Sequence, residues 1–314
     1  MHAFRNILLV ISRSDTADIE FHQIFKLAAD NRAHLHVALF DNSLDVMQKL
    51  QFLPMEKQIE SMLLEQLEKE LNRIKTLAWN EGLLVDTQII PGRPRDSVLK
   101  MVNERNCDLV IKLADPSGVF SRKQLAGNDL ALLRKCPVPV LIIADRGQLP
   151  SFSGKIMVAI DAGNPEKKVQ ELNQHLLQYG LYIATQEQAE LHCVSVWDLP
   201  AGGKRALRML SDEELYELQE ITRKRYRCKQ AELVEAFNIN QDGHNRVHMH
   251  LLKGLPSHEI QRLANELEID LIIMGTRGIH SQNVVIGNTA ENILNGVYCS
   301  VLAVHPEDCS SPVK

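Results

Sequence analysis

Three glycines near the end of the chain have the spacing of a loop that could hold a phosphate. In "MGTRGIHSQNVVIGNTAENIL", two residues separate Gly275 from Gly278, and eight more precede Gly287. Glycine lets the backbone turn tightly and approach a ligand because it has no Cβ. Asn288 and Thr289 then lead into a predicted helix, whose first backbone N–H groups would attract an anion. The chemistry that this pattern predicts is phosphate binding by backbone donors.

A plainer interpretation of the same stretch is the start of an ordinary helix. Asn288 is a favoured N-cap residue, and Glu291 three residues later could complete a capping box, so the helix could satisfy its own first donors. Glu291 would also place negative charge beside an incoming phosphate. The Walker-type pattern G-x-x-x-x-G-K-[ST] does not occur in the sequence. From spacing alone, the plain helix start is favoured over a nucleotide site.

The elements around these glycines are repeated within the chain. Ile89–Lys112 and His250–Gly275 share one order: a strand-like run ends at Gly-x-Pro, an amphipathic helix follows, and Asp precedes an apolar strand. Such self-similarity indicates a duplicated domain. The join falls in Asp145–Lys155, which is rich in Gly, Pro and Ser. The predicted domains are residues 1–147 and 154–308.

Each half alternates strands with helices, which predicts an α/β fold. Short runs rich in Val, Ile and Leu are typical of parallel strands covered on both faces. Each domain is therefore expected to be a doubly wound, Rossmann-like five-stranded parallel sheet flanked by helices. Long helices are predicted near Met55–Gly82 and Ser211–Asn238, the second opening with the capping box of Ser211 and Glu214. The second-half strands are predicted at Lys155–Asp161, Glu190–Trp197, Arg246–Leu252, Ile269–Gly275 and Cys299–His305.

This topology predicts where a ligand would bind. In doubly wound sheets, ligands lie outside the carboxyl ends of the strands, where the strand order reverses. If the first strand of the second half lies beside the fourth, Asp161 and Gly275 emerge at the same crevice. The sequence therefore predicts one usable crevice in the second half.

Composition and charge exclude several classes of partner. Of the 314 residues, 45% are hydrophobic and 24% charged, and the net charge of -5 argues against a nucleic-acid-binding surface. No apolar run approaches the ~18–20 residues needed to cross a bilayer, and the first one ends at Arg13, too short for a signal-peptide core. The six cysteines are scattered without a C-x-x-C pair. We expect a reduced, cytoplasmic protein with no nucleic-acid or membrane partner.

Histidines and cysteines offer weaker candidates for chemistry. His248 and His250 lie on one face of a predicted strand, with His244 and His258 nearby, so a zinc site is conceivable. No Cys or carboxylate stands at tight ligand spacing, and ordinary surface histidines are favoured; the sequence predicts no metal site. Cys136 precedes a proline at a strand start, where a core role is favoured over a nucleophile.

The quoted residues carry a resemblance to the universal stress protein family. "GTRGIHSQNVVIGNTAENIL", followed by "CSVLAVHPED", resembles the family signature of Gly-x-x-Gly, a nine-residue gap, and Gly with Ser or Thr. "KIMVAID", "VSVWD" and "KGLPSHEI" fall where the family has its first strand, second strand and third-strand turn. The resemblance covers essentially the whole chain as two tandem domains and is closest to the universal stress protein E group.

The resemblance implies a nucleotide site in the second half. Family members that bind ATP hold adenine and ribose at the ends of the first two strands, and phosphates at the glycine loop. The gap here is eight residues rather than nine, and Asn288 stands where binders usually carry a hydroxyl, while the guanidinium of Arg277 could pair with phosphates. Binding of ATP or another adenine nucleotide is thus expected to be weak or undetectable, and no cofactor is certain. By position, the nominated residues are Asp161, Val196, Gly275, Arg277, Gly278, Gly287, Asn288 and Thr289.

The first half departs from the family pattern. Ser12 replaces the aspartate, and Leu113 and Pro116 stand at the positions of Gly275 and Gly278. Leu113 has a Cβ that blocks close approach of the backbone to a ligand. Pro116 has no backbone N–H to donate to a phosphate. The first domain is expected to be a scaffold that cannot hold ATP in the family manner.

The function implied is a stress-response regulatory or binding module rather than a metabolic enzyme. The alternative is a slow ATP hydrolase or nucleotidyl enzyme that uses the second-half crevice. Such an enzyme would need a general base and a metal ligand, and the sequence shows no clear carboxylate pair for these roles. Because the family pairs its domains through their last strands, Val138–Ile143 and Cys299–Val304 are expected to form an internal pseudo-dimer. Association into a homodimer stays open.

Overall fold

The computed structural model describes nine stretches of the chain, which form two compact units. The first unit contains the N-terminal half together with Ser300–Ala303, and the second contains most of the remainder. The described residues are 4–12, 18–49, 56–92, 94–113, 132–144, 154–199, 209–236, 247–276 and 287–306.

The first half forms a parallel sheet in the order β3-β2-β1-β4-β5. Its first strand lies between the second and the fourth, so the strand order reverses at that point. This is the doubly wound arrangement predicted from the sequence. Its elements are β1 (Asn6–Ile11), α1 (Asp18–Asn31), β2 (His34–Asp41), α2 (Asn42–Lys49), α3 (Glu56–Asn80), β3 (Val85–Pro91), α4 (Pro94–Glu104), β4 (Leu109–Leu113) and β5 (Val140–Ile143).

The second half repeats the pattern, with parallel strands in the order β9-β6-β7-β8. Again the first strand of the half lies beside the fourth. Its elements are β6 (Lys155–Ala159), α5 (Lys167–Glu187), β7 (Glu190–Trp197), α6 (Asp212–Glu235), β8 (Val247–Lys253), α7 (Pro256–Glu266), β9 (Leu271–Gly275), α8 (Asn288–Gly296) and β10 (Ser300–Val304).

Burial explains why these segments are strands. Every residue of β4 and β5 is buried, as expected of parallel strands whose two faces are both covered. At the outer edges, β3 and β8 are half-buried with exposed positions between, which matches the alternating sequence of β8.

The long helices begin close to where the sequence predicts. Ser211 and Glu214 form the capping box before α6: the Ser211 N–H donates to Glu214 Oε2 at 2.8 Å, and the Glu214 N–H donates to Ser211 Oγ at 3.2 Å. These bonds satisfy donors that the first turn of a helix cannot satisfy internally. The Ser/Glu spacing is thus a reliable local signal here.

The last strand of the chain pairs with the last strand of the first half. β10 runs antiparallel to β5, with Val301 opposite Ile142, and the Ala144 N–H donates to Ser300 Oγ at 3.2 Å. The predicted pairing of these two strands is confirmed.

The cysteines of the described residues are mostly core residues. Cys107, Cys136, Cys193 and Cys299 are buried, whereas Cys228 is exposed. Burial raises the pKa of Cys136 to about 12, so its thiol stays protonated at neutral pH. The core interpretation of Cys136 is confirmed. Within the residues described, no helix combines the length and apolar character that crossing a membrane requires.

Candidate functional site

Asp161 and Gly275 come together at one edge of the second-half sheet. Strands β6 and β9 are neighbours, with Ala159 opposite Met274. Gly275 is the last residue of β9, and Asp161 follows β6 by two residues. Both therefore lie at the carboxyl ends of adjacent parallel strands, where the strand order reverses and ligands of such sheets bind.

A buried amide fixes the backbone of Asp161. The Asp161 N–H donates to Asn173 Oδ1 at 3.1 Å, and Asn173 Nδ2 donates back to the Asp161 carbonyl at 2.9 Å. Asn173 is a buried residue of α5, so helix and strand end are joined through one side chain. Asn164 Nδ2 donates to Asp161 Oδ2 at 3.2 Å. The carboxylate is held at the strand end without a salt bridge in these contacts.

The surroundings make this carboxylate costly to ionise. Burial raises the pKa of Asp161, and hydrogen bonds from Asn164 partly oppose that rise. Part of the residue is nevertheless exposed at the sheet edge. A partly desolvated carboxylate at a strand end is suited to accepting a hydrogen bond from a ligand hydroxyl.

Tyr226 of α6 packs over the turn that follows Asp161. A Cβ added to Gly163 would overlap the Tyr226 ring, so this glycine is needed for the ring to lie where it does. Burial and the Asp161 carboxylate raise the pKa of Tyr226. Sequence reasoning missed this tyrosine because α6 follows Asp161 only after another helix and strand. Its hydroxyl stays protonated at neutral pH and adds a neutral polar group near Asp161.

Gly275 owes its identity first to packing. A Cβ at this position would lie 2.8 Å from Leu172 Cδ2 of α5, closer than side-chain atoms normally approach. The glycines with positive φ among the described residues are Gly82, Gly92 and Gly254, so Gly275 makes no left-handed turn. The expectation of a tight turn at Gly275 is wrong, because the residue is the extended end of β9. Its approach to a ligand stays a prediction.

Helix α8 begins beside the end of β9. The Gly287 N–H donates to the carbonyl of Thr276 at 2.8 Å, and the Thr276 N–H donates to the Val304 carbonyl at 3.1 Å. These bonds bring the start of α8 back to the residue after Gly275. The N-terminal end of α8 thus lies at the same sheet edge as Asp161.

Gly287, not Asn288, is the N-cap of α8. It has extended backbone angles, φ -64 and ψ 143, and no side-chain cap hydrogen bond. Asn288 is the first helical residue and, like Thr289, is exposed. The alternative that Asn288 caps the helix is therefore wrong, because a glycine cap has no side chain to accept from the first turn. The interpretation of this stretch as an ordinary helix start capped by the Asn288 side chain therefore does not hold.

A buried Thr–His pair lies beside these residues and was missed from the sequence. Thr276 Oγ1 lies 2.6 Å from His305 Nδ1, and the two residues are 1% and 6% exposed. Each residue directly follows a strand, Thr276 after β9 and His305 after β10. Their position at the ends of these strands is the sequence signal that could have revealed the pair. The pair ties the residue after Gly275 to the end of the last strand.

The remaining nominated residues have less structural support. Val196 is buried in β7 one residue before the strand ends, opposite Leu252 of β8. Arg277 and Gly278 lie outside the described residues, as does Pro116 of the first half.

The equivalent edge of the first half differs in every described position. Ser12 follows β1, and buried Leu113 ends β4. The fully buried Lys112 donates from Nζ to the Leu113 carbonyl at 3.1 Å. Asp41 Oδ1 accepts from the Ser43 N–H at 2.7 Å, which fixes α2 at the end of β2. Among the residues described at this edge, the Lys112 ammonium and the Asp41 carboxylate are both engaged within the protein.

Comparison with known proteins follows the same two halves. The model of the universal stress protein family matches residues 3–144 and again residues 153–305. The universal stress protein E homolog of Haemophilus influenzae is 23% identical over 311 residues, covering 96% of this chain and 98% of that protein. Universal stress protein E of Escherichia coli K12 is 26% identical over 238 residues, covering 75% of this chain and 72% of its own.

Two solved structures share the fold. A functionally unknown protein of Pseudomonas aeruginosa PAO1 superposes with a TM-score of 0.70 at 24% identity, covering 98% of this chain and 94% of its own. A universal stress protein of Archaeoglobus fulgidus gives a TM-score of 0.60 at 17% identity, covering 95% and 98%. At these identities the likeness supports the architecture alone.

Proposed function

This chain belongs to the universal stress protein family, and from that premise we propose a cytoplasmic stress-response binding module with a weak nucleotide-type site in its second domain. Relatives over most of the chain are universal stress proteins of the E type, which supports a stress-response role. The domains are proposed to span residues 1–147 and 154–308. The first is a scaffold, and the second carries the ligand.

One observation carries the proposed site: the start of α8 and the Asp161 carboxylate meet at one sheet edge. The bond from the Gly287 N–H to the Thr276 carbonyl places the helix start there, and Asn173 holds the backbone of Asp161. A helix start favours an anion, and a carboxylate accepts hydrogen bonds from sugar hydroxyls. Together they suit the two polar ends of a ribonucleotide.

The proposed residues divide between these two ends. Asp161 would accept from the ribose, and the backbone of Val196 would lie along the base. The phosphates would lie against the glycine segment and the first turn of α8. The proposed phosphate-binding residues are Gly275, Arg277, Gly278, Gly287, Asn288 and Thr289.

Binding rather than turnover is the proposed activity. Phosphoryl transfer needs a positioned base and a metal-held phosphate. Asp161 is hydrogen-bonded to Asn164 and Asn173, whose neutral amides orient the group without activating it as a base. Slow ATP hydrolysis is the alternative, and release of inorganic phosphate above that of an Asp161→Ala control would favour it.

The test is a titration of the whole chain with ATP, ADP, AMP and ribose 5-phosphate, followed by calorimetry. Native mass spectrometry of the freshly purified chain would identify any ligand that it retains. We expect adenine nucleotides to bind more weakly than low micromolar, which corresponds to less than about 8 kcal/mol of binding free energy. No binding of any nucleotide at millimolar concentration would overturn the proposed site.

A further inference from the structure

A second polar cluster lies at the opposite edge of the same sheet, at the amino ends of β7 and β8. His192 of β7 stands opposite His248 of β8 in the parallel register. Glu190 precedes His192 by two residues and His250 follows His248 by two, so the four side chains share one face. Because β7 and β8 begin here, the cluster is separate from the crevice at the carboxyl ends.

Three of these side chains bring ligand atoms close together. Glu190 Oε2 lies 3.8 Å from His192 Nε2 and 3.9 Å from His248 Nε2, and the three residues offer atoms within 4.8 Å of one another. The His192 and His248 rings stack with centroids 4.8 Å apart. Around a tetrahedral ion with bonds of ~2.0–2.1 Å, ligand atoms stand about 3.3–3.4 Å apart. To reach that spacing, the two carboxylate contacts would shorten by about half an ångström, and the two imidazole nitrogens would approach each other by up to about 1.4 Å.

His192 is the least explained member of the cluster. Its side chain is 5% exposed, and its Nε2 atom has no hydrogen-bond partner within the described part of the chain. A buried nitrogen without a partner costs free energy, which calls for a ligand that completes it. The Glu190 carboxylate and the His248 ring lie toward this atom.

The other nitrogen of His192 is already engaged. His192 Nδ1 lies 3.0 Å from His250 Nε2. If Nδ1 carries the ring proton and donates it to His250, the lone pair of His192 lies on Nε2. Metal-binding histidines commonly donate their second N–H in this way.

We propose that Glu190, His192 and His248 form a binding site for a divalent transition-metal ion, with Zn²⁺ the ion that this donor set suits. Two imidazole nitrogens and one carboxylate oxygen are a known ligand set of open zinc sites, with a fourth position left to water. His248 is 46% exposed, so its ring can turn toward the ion. His250 orients His192 from behind.

The nearest competing charge is that of Lys155. It stands opposite Glu190 at the start of β6. Its ammonium donates to the Leu267 carbonyl at 3.0 Å, toward the end of α7. A cation at this range weakens metal binding without occupying a ligand position.

The test measures Zn²⁺ binding by the full-length, untagged chain after chelator treatment. A Cys228→Ser background removes the thiol that is exposed among the described residues and could itself bind zinc. Calorimetry should give one equivalent of Zn²⁺ at low micromolar affinity or tighter, and Co²⁺ should show the intense visible bands of a tetrahedral site. Failure to bind stoichiometrically would overturn the proposal.

Matched variants locate the site. His248→Ala and Glu190→Gln should each lower the Zn²⁺ affinity at least about ten-fold, since each removes one of three ligands. His258→Ala is the control, because His258 is another exposed histidine beside a carboxylate, Glu259. Circular dichroism verifies that the variants remain folded. Unchanged affinity in both cluster variants, or an equal loss in His258→Ala, would refute the assignment.

Discussion

The two halves of this protein share a strand order but differ at the carboxyl ends of their strands. In the second half, β6 is followed by Asp161 and β9 ends at Gly275, with the start of α8 brought beside them. In the first half, Ser12 follows β1 and buried Leu113 ends β4, with the Lys112 ammonium bonded to its carbonyl. One sheet edge presents a carboxylate and a helix start, whereas at the other the described Lys112 and Asp41 side chains bond within the protein.

This difference shows which part of the fold was free to change after the domain was duplicated. The buried strands of both sheets keep the same packing requirements, because each contacts helices on two faces. An exposed residue just beyond a strand, such as Asp161, has no such constraint and can change without altering the sheet. The proposed difference in ligand binding therefore depends on the strand ends rather than on the domain as a whole.

The largest effect expected is the loss of nucleotide binding on Asp161→Ala. One hydrogen bond to an ionised carboxylate contributes about 1–3 kcal/mol, so the dissociation constant should rise about 5- to 150-fold. Ser12→Ala, at the matched position of the first half, should leave the dissociation constant of the nucleotide unchanged. Ligand-observed NMR on the full chain measures both, and a larger effect at Ser12 would reverse the proposed asymmetry.

The second effect separates packing from ligand contact. Gly180 of α5 is buried. A Cβ at this position would overlap Val158 Cγ2 of β6 unless the neighbouring atoms shifted. Gly180→Ala should therefore destabilise the protein by about 1–3 kcal/mol, although alanine is the better helix former. Urea unfolding measures this change.

Asp161→Ala supplies the contrast, since it should change binding with little loss of stability. A Gly180→Ala variant at least as stable as the parent would show that α5 and β6 adjust more freely than their packing indicates.

The third effect concerns the length of the glycine loop. Inserting one residue after Gln282, together with Asn288→Ser, restores the spacing typical of nucleotide-binding relatives. The backbone donors should then point inward and strengthen ATP binding about ten-fold. Calorimetry compares the double change with Asn288→Ser alone. Equal affinities would mean that loop length does not limit binding and that the crevice serves another ligand.

The smallest effect is a pH-dependent change in stability at Asp161. Its folded pKa lies above the ordinary value, so the folded state binds the proton more tightly than the unfolded chain. Stability from this group is present below the ordinary pKa and is lost as pH rises through the raised one. Asp161→Asn should therefore raise the melting temperature slightly at pH 7 and much less near pH 3.5. A gain that is larger at the acidic pH would contradict the raised pKa.

Periodicity and repetition predicted the fold well because each signal is local. The Ser211–Glu214 capping box and the order of strands and helices need only neighbouring residues, and the predicted adjacency of β6 and β9 followed from the topology. The roles of Gly275 and Asn288 could not be predicted in the same way. They depend on Leu172 packing against a strand end and on which residue the chain places at the cap.

The histidine cluster shows a second kind of limit. The sequence reveals His248 and His250 as alternate residues of a strand, but no carboxylate close to them. Glu190 and His192 belong to the preceding strand and arrive only through the register of β7 with β8. A single shift of that register would place them on the opposite face. Sites assembled across strands need this register before they can be recognised.

The pairing of β5 with β10 has a consequence for how the protein is made. Ile142 meets its partner Val301 only after nearly all of the second half has been synthesised. At ~5–20 residues per second, the interval is on the order of 10 s. During that time β5 of a nascent chain has an open edge that β10 of a neighbouring chain on the same messenger could fill. Exchange of this strand between two nascent chains would therefore produce an intertwined dimer.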